Sequence, residues 1–271
     1  MSERNGYQPG VPCWVDTWQP DSEAAAGFYT QLFGREAEDT MPPDSPGHYF
    51  ICKLRGRDVA AIGSQPPEHA GHVPVWGTYI WVQSADDTAA RVIDAGGSVA
   101  IEPFDRLDDG RMAIVVDPAG AVIGLWQAKE HSGAQLVNEP GAWAMSHLNT
   151  LDPEGAKEFY GAVFGWTTEG FGDGITLWRF PGYEGGEPEQ PVSREVVATM
   201  APMGGRFPAD VPPHSSVNFW VADTDAIADK TAGLGGNVVV PPHDTPVSRD
   251  AILADPQGAV FSVSKVAVGG S

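Results

Sequence analysis

The sequence is poor in cysteine and in positive charge, and it has no long apolar run. Cys13 and Cys52 are its only cysteines. Two are too few for a disulfide framework, so they read as reduced thiols packed in or beside a core, which suits a cytoplasmic location. Lys and Arg total 16 against 36 Asp and Glu, a formal charge of -20. Such a chain lacks the basic stripe that binding to nucleic acid or anionic membranes would need. No window approaches the roughly 18 apolar residues of a membrane span, and the opening residues lead into no signal-like run. Also missing are a Gly-rich phosphate loop after a strand, a Gly-x-Ser-x-Gly elbow, His-x-x-x-His spacing and any recognisable Cys–His arrangement. The expectation is a cytoplasmic protein with neither nucleic-acid nor membrane partners.

What the chain does contain is repetition. Asp21, Phe28-Tyr29 and Phe33-Gly34 recur at the same spacing as Asp152, Phe159-Tyr160 and Phe164-Gly165. In the first copy, the alternating stretch from Val11 to Trp18 reads as a strand ending at Pro20. Asp21 then caps a helix whose stripe is Ala25, Phe28, Tyr29 and Leu32, and Gly34 suits the left-handed position that stops it. β-like runs follow near Ala37, from His48 to Leu54 and from Val59 to Gly63, and a Pro-rich segment, 66–74, closes this β-α-β-β-β unit.

A fainter unit follows, with strands at Trp76 to Val82, Ser98 to Ile101, Met112 to Val116 and Ala121 to Gln127, and a helix from Asp86 to Asp94. Its Asp117-Pro118-Ala119-Gly120 suits a type I turn. The second half repeats both units, from Trp143 to Met203 and from Ser215 to Lys265, with Asp255-Pro256-Gln257-Gly258 answering the earlier turn. Four copies of one βαβββ unit therefore make an α+β chain. Residues 10–128 and 141–266 are the expected domains, residues 129–140 a simple linker, and residues 183–190 a surface loop.

On these repeats and the two Asp-Pro-x-Gly turns, nearly the whole chain resembles the vicinal oxygen chelate superfamily, which holds glyoxalases, extradiol dioxygenases and bleomycin-resistance proteins. The resemblance implies that each pair of units forms one curved sheet around a cup. It also implies a divalent metal on the cup floor as a Lewis acid. Counting from Asp21 and Asp152, the implied ligand positions fall on Trp14, Gly77 and Gly124 in the first half and on Met145, Ser216 and Ser262 in the second. None is an imidazole or carboxylate donor of the kind such cations take, so the expectation is no metal and no other cofactor.

Alternation places Trp14, Asp16, Trp18, Tyr79, Trp81 and Trp126, with Val122, on the first concave face. The rings either fill the interior as core or wall a vacancy beside Gly77 and Gly124 suited to a planar ligand. The second face carries Met145, His147, Asn149, Asn218 and Trp220, with Val260 and Ser264, and is more polar. His147 is the one histidine assigned to a concave face. The others fall at loops or strand edges, and Arg111 and Arg249 read as marks of the duplication.

The favoured reading is a metal-free binder of a small hydrophobic or aromatic molecule, such as a natural product to be sequestered, delivered or resisted, with a biosynthetic enzyme as the candidate protein partner. The alternative is a glyoxalase-like lyase or isomerase, or a cofactor-independent enzyme using Asp16 or His147 as its acid–base group. Internal duplication fits a monomer, and a homodimer stays open.

Overall fold

A computed structural model describes residues 3–67, 70–172, 174–185, 193–204 and 211–266. Of the expected loop at 183–190, residues 186–190 lie outside this set. The elements of the first half are β1 (Pro12–Gln19), α1 (Ser22–Phe33), β2 (Glu36–Asp39), β3 (Tyr49–Leu54), β4 (Arg57–Ser64), β5 (Trp76–Trp81), α2 (Ala85–Asp94), β6 (Ser98–Arg106), β7 (Gly110–Val116) and β8 (Val122–Ala128). The second half has β9 (Trp143–Thr150), α3 (Pro153–Phe164), β10 (Thr167–Phe171), β11 (Ile175–Arg179), β12 (Val196–Pro202), β13 (His214–Trp220), α4 (Thr224–Gly233), β14 (Asn237–Asp244), β15 (Ser248–Ala254) and β16 (Val260–Val266).

The helix signals act as the sequence suggests. Asp21 accepts from the Ala24 N–H and Asp152 from the Gly155 N–H, satisfying first-turn donors. Gly34 and Gly165 end α1 and α3 with φ of 67° and 75°, a region costly for other residues. One strand is longer than expected. β6 runs on from Ile101 to Arg106, through Pro103. It lies at the sheet edge and shifts register twice, so a missing N–H is tolerated there.

Each half forms one eight-stranded mixed sheet, in the orders β2-β3-β4-β1-β5-β8-β7-β6 and β10-β11-β12-β9-β13-β16-β15-β14. The two units of a half thus join through β1 and β5, or β9 and β13, which pair antiparallel. Central strands present one concave face, and the helices cover the other.

The helix stripes do more than anchor each half to its own sheet, which is all their pattern suggests. Phe33 packs its ring 5.0 Å from that of Phe219 and 6.0 Å from that of Phe261, across the molecule. Tyr29 donates at 2.9 Å to Asp255, in the turn of the fourth unit, and Tyr160 donates at 3.3 Å to Asp117, in the turn of the second. One core therefore joins units one and four, and another joins units two and three. Thr78 and Ser146 share a 2.7 Å hydroxyl hydrogen bond between the two sheets. Arg111 binds Asp86 and Arg249 binds Asp225 with paired hydrogen bonds, tying β7 to α2 and β15 to α4. Their recurrence thus has a structural cause.

Candidate functional site

The strand registers align the two concave faces residue by residue. Asp16 lies opposite Gly77 on β5 and Ala61 on β4, whereas His147 lies opposite Ser216 on β13 and Thr199 on β12. The two acid–base candidates therefore occupy equivalent positions in the two halves. In the same way Trp14 matches Met145, Tyr79 matches Asn218, Gly124 matches Ser262, and Trp126 matches Ser264.

The first cup is packed by its own rings. Trp14, Asp16, Tyr79 and Trp126 are only 4%, 2%, 5% and 6% exposed, while Trp18 and Trp81 are half-buried at the margin. The vacancy expected beside Gly124 does not exist. A Cβ there would lie 2.1 Å from the Tyr79 ring, so the glycine makes room for that ring. Gly63 does the same for Trp18, whose ring would be 2.7 Å away. Val122 projects outwards, 51% exposed, and is no part of the lining.

The linker supplies the rest of the filling, so it is not the simple connector its composition suggests. His131 sits edge-on between Trp14 and Trp126, with centroids at 4.5 and 5.6 Å, and its carbonyl accepts from the Trp126 indole at 3.0 Å. Ala134 and Leu136 are fully buried. Tyr7 of the N-terminal arm lies 6.2 Å from Trp81 and donates to the Ala134 carbonyl. His131 was assigned to a loop, which it is, but backbone hydrogen bonds from Ala134 to Cys13 and from Gln135 to Asp58 draw that loop over β1 and β4.

Within this packing Asp16 accepts 3.1 Å hydrogen bonds from the hydroxyls of both Tyr49 and Tyr79. Burial raises its pKa to about 6, against the lowering effect of the tyrosine bonds. Burial also pushes both tyrosines well up, so they remain donors. Arg106 caps the group, its guanidinium 4.0 Å from the Tyr49 ring centre. Neither Tyr49 nor Arg106 is in the sequence-based lining, because each reaches the site from an outer strand.

The second cup is more open and its polar groups are paired with one another. Met145, His147, Trp220, Ser216 and Ser262 are each half-buried, and Asn149 and Asn218 nearly buried. His147 Nδ1 shares a short hydrogen bond with Thr199 Oγ1. Burial lowers the His147 pKa to about 4, leaving a neutral imidazole near pH 7. Asn149 donates at 3.2 Å to Ser216 Oγ and at 3.2 Å to His214 Nε2. His214 is thus a concave-face histidine assigned by sequence to a strand edge, and the two-residue period from Ser216 could have found it. Asn218 donates to Ser262 Oγ at 3.0 Å and accepts from Ser264 Oγ at 2.7 Å. Val260 is 45% exposed and lies outside the lining.

The residues at the implied metal positions do not fit a metal. Three carry indole or hydrogen in the first half, and Met145, Ser216 and Ser262 offer a thioether and two hydroxyls in the second, of which the Ser262 hydroxyl accepts from Asn218. Among the described residues no three His, Cys, Asp or Glu converge as a metal site. No helix among them is long and apolar enough to cross a membrane.

Comparisons with known proteins agree with this architecture. The sequence profile of the Glyoxalase/Bleomycin resistance protein/Dioxygenase superfamily matches residues 14–125 and 142–263. The chain is 41% identical to CFP32 of Mycobacterium tuberculosis, a protein named as a candidate glyoxylase, over 98% of this chain and 99% of that one. It is 35% identical to the anthracycline biosynthesis protein DnrV of Streptomyces peucetius, over 97% and 96%. Among solved structures, the Mn(II)-bound glyoxalase of Novosphingobium aromaticivorans superposes with a TM-score of 0.63 at 15% identity, covering 95% of this chain and 82% of that one. The 2,3-dioxygenase LapB of Pseudomonas sp. KL28 gives 0.61 at 16%, covering 98% and 94%. At such identities these two speak for the fold alone. Four βαβββ units paired into two cups, together with the profile match over both halves, mean that this chain belongs to the glyoxalase/bleomycin resistance/dioxygenase superfamily.

Proposed function

We propose that this protein is a metal-independent binder of a small, largely aromatic molecule, and that the C-terminal cup is its binding site. The observation that carries the reading is the contrast between the two faces: Tyr79, Trp126 and His131 fill one, while Met145, His147, Asn149, Asn218 and Trp220 line the more open one. Trp220 and Met145 offer apolar surface, and the Asn and His groups offer directional hydrogen bonds, the usual division of labour in a ligand site. Kinship with a protein named for anthracycline biosynthesis supports a natural product as ligand. Titration with tricyclic aromatic ketones, followed by tryptophan quenching in the presence of a chelator, tests the reading. Saturable binding that Trp220→Ala weakens is expected; no binding to folded protein would overturn it.

A second reading has its own observation. His147 is neutral near pH 7, partly exposed and held by Thr199, so its free ring nitrogen can accept a proton, although burial makes it a weak base. Asp16 is enclosed and contributes nothing to that chemistry. A bound ligand that is also converted, with conversion lost in His147→Gln and binding kept, would favour a cofactor-independent enzyme.

A further inference from the structure

Among the described residues, one buried polar atom on the second concave face has no hydrogen-bond partner. Asp250 stands on β15 opposite Ser264 of β16, and Ser264 bonds to Asn218, so Asp250 shares the cup face with Asn218. Its neighbour Arg249 points the other way, to Asp225 at the start of α4. Asp250 Oδ1 is buried without a hydrogen-bond partner among the described residues. Every other named polar side chain of this face, from His147 and Asn149 to Asn218 and Ser264, is already paired within the protein. The buried indoles of Trp143 and Trp178, also without partners among the described residues, lie in the shared cores, and the orphaned His131 Nε2 lies in the first cup, none of them on this face.

The aligned registers make the position more telling. The equivalent of Asp250 in the first half is Met112, opposite Trp126, and Met112 faces Phe104 where Asp250 faces His243. An apolar pair in the filled cup thus corresponds to an acid beside a histidine in the open one. Burial raises the Asp250 pKa, partly offset by a hydrogen bond with Ser248 and by the charge of the nearby His243, so only Oδ1 is left without a partner. Nothing in the fold requires an acid here, since the first half packs the same site with Met112.

Resting on the binding reading above, we infer that Asp250 is a specificity-determining residue that receives a hydroxyl or amine donor at one end of the bound aromatic molecule. Asp250 is half-buried with its Oδ1 enclosed, and its broad, two-fold terminal torsion lets the carboxyl turn to an incoming donor. β9, β13, β16 and β15 are consecutive in the sheet, so at about 4.8 Å per strand Asp250 stands roughly 14 Å from the His147 strand measured along the sheet. The ligand is therefore elongated, with its aromatic body over Met145, Asn218 and Trp220 and its donor at the β15 wall. A site built around an unpaired acceptor discriminates against analogues that lack the donor, because they leave that acceptor unpaired.

The test uses three probes of one shape, 2-methylanthraquinone, 2-(hydroxymethyl)anthraquinone and 2-(aminomethyl)anthraquinone, titrated into the full chain by tryptophan quenching. At least one donor-bearing probe binds about tenfold or more tighter than the methyl probe to the native protein. Asp250→Leu abolishes that preference while leaving methyl-probe affinity within about twofold, and Asp250→Asn keeps a preference for the hydroxyl probe because its amide oxygen still accepts. Asp250→Leu stays folded, since the equivalent position in the first half holds the apolar Met112. Equal binding of all three probes, or a preference that survives in Asp250→Leu, overturns the inference and leaves the binding reading standing. Failure of every probe to bind folded protein overturns both.

Discussion

Asp16 and His147 hold the same place in two copies of one sheet, yet the surroundings of each have taken it in opposite directions. Around Asp16, aromatic rings lie on Gly63 and Gly124, and His131 of the linker closes the space between Trp14 and Trp126. Around His147, the equivalents of those rings are Asn149, which bonds to Ser216 and His214, and Asn218 and Ser264, which bond to each other, while Met145, His147 and Trp220 stay partly exposed. The difference teaches that a duplicated fold can keep its scaffold twice while keeping an open cup once. The rings of the first half serve as a second core, whereas the second half leaves Met145, His147 and Trp220 partly exposed.

The comparison breaks most visibly at its tryptophans. Trp126→Ala removes a buried ring that packs His131 in place, and should cost about 3–5 kcal/mol of stability in denaturant unfolding while leaving ligand affinity of the remaining folded protein unchanged. Trp220→Ala should do the reverse, with a stability loss near 1 kcal/mol and an affinity loss of about tenfold. If Trp126→Ala weakens binding more than Trp220→Ala does, the assignment of roles to the two cups is inverted.

The two cross-half tyrosines sharpen the comparison at a smaller scale. Tyr29 donates to Asp255 and accepts from the Trp76 indole at 3.0 Å, whereas Tyr160 makes one longer bond to Asp117. Tyr29→Phe strands a buried donor and an acceptor and should cost about 2–3 kcal/mol, against about 1 kcal/mol for Tyr160→Phe, by equilibrium unfolding. Equal costs would mean that the two cores are energetically alike.

The comparison also shows in pH dependence, whose sign differs between the halves. Asp16 has a folded pKa of about 6, above its ordinary value, so the folded state holds the extra proton between about pH 4 and 6 and stability falls as pH rises through that window. His147 has a folded pKa of about 4, below its ordinary value, so the unfolded state holds the extra proton between about pH 4 and 6.5 and stability rises with pH. Asp16→Asn should therefore make the rise of melting temperature with pH steeper across that window, and His147→Gln should make it shallower. The same change of slope in both variants would refute the contrast.

Much of the fold was legible because it rests on local chemistry that is written twice. Asp21 and Asp152 cap helices, Gly34 and Gly165 stop them, and the Asp-Pro-x-Gly turns fix the last hairpins. Alternation from the implied metal positions also brought Asp16, Tyr79, Asn149 and Asn218 onto the correct faces. What stayed hidden depends on contacts between distant segments. Nothing near Tyr29 announces that its hydroxyl reaches Asp255, and nothing in the linker composition announces that His131 enters a cup. Glycine at 124 was read as space, but its absent side chain is where Tyr79 packs. Asp250 was invisible for a similar reason, since an unpaired oxygen becomes evident only once its neighbours' partners are known.

The nine tryptophans allow the central claim to be tested in one spectrum. Indole N–H resonances of uniformly labelled protein, assigned by single Trp→Phe variants, are followed during titration with 2-methylanthraquinone. The account predicts that the Trp220 indole shifts saturably while those of Trp14 and Trp126 stay in place. Saturable shifts at Trp14 or Trp126 with Trp220 unmoved would contradict it and return the ligand to the aromatic cup.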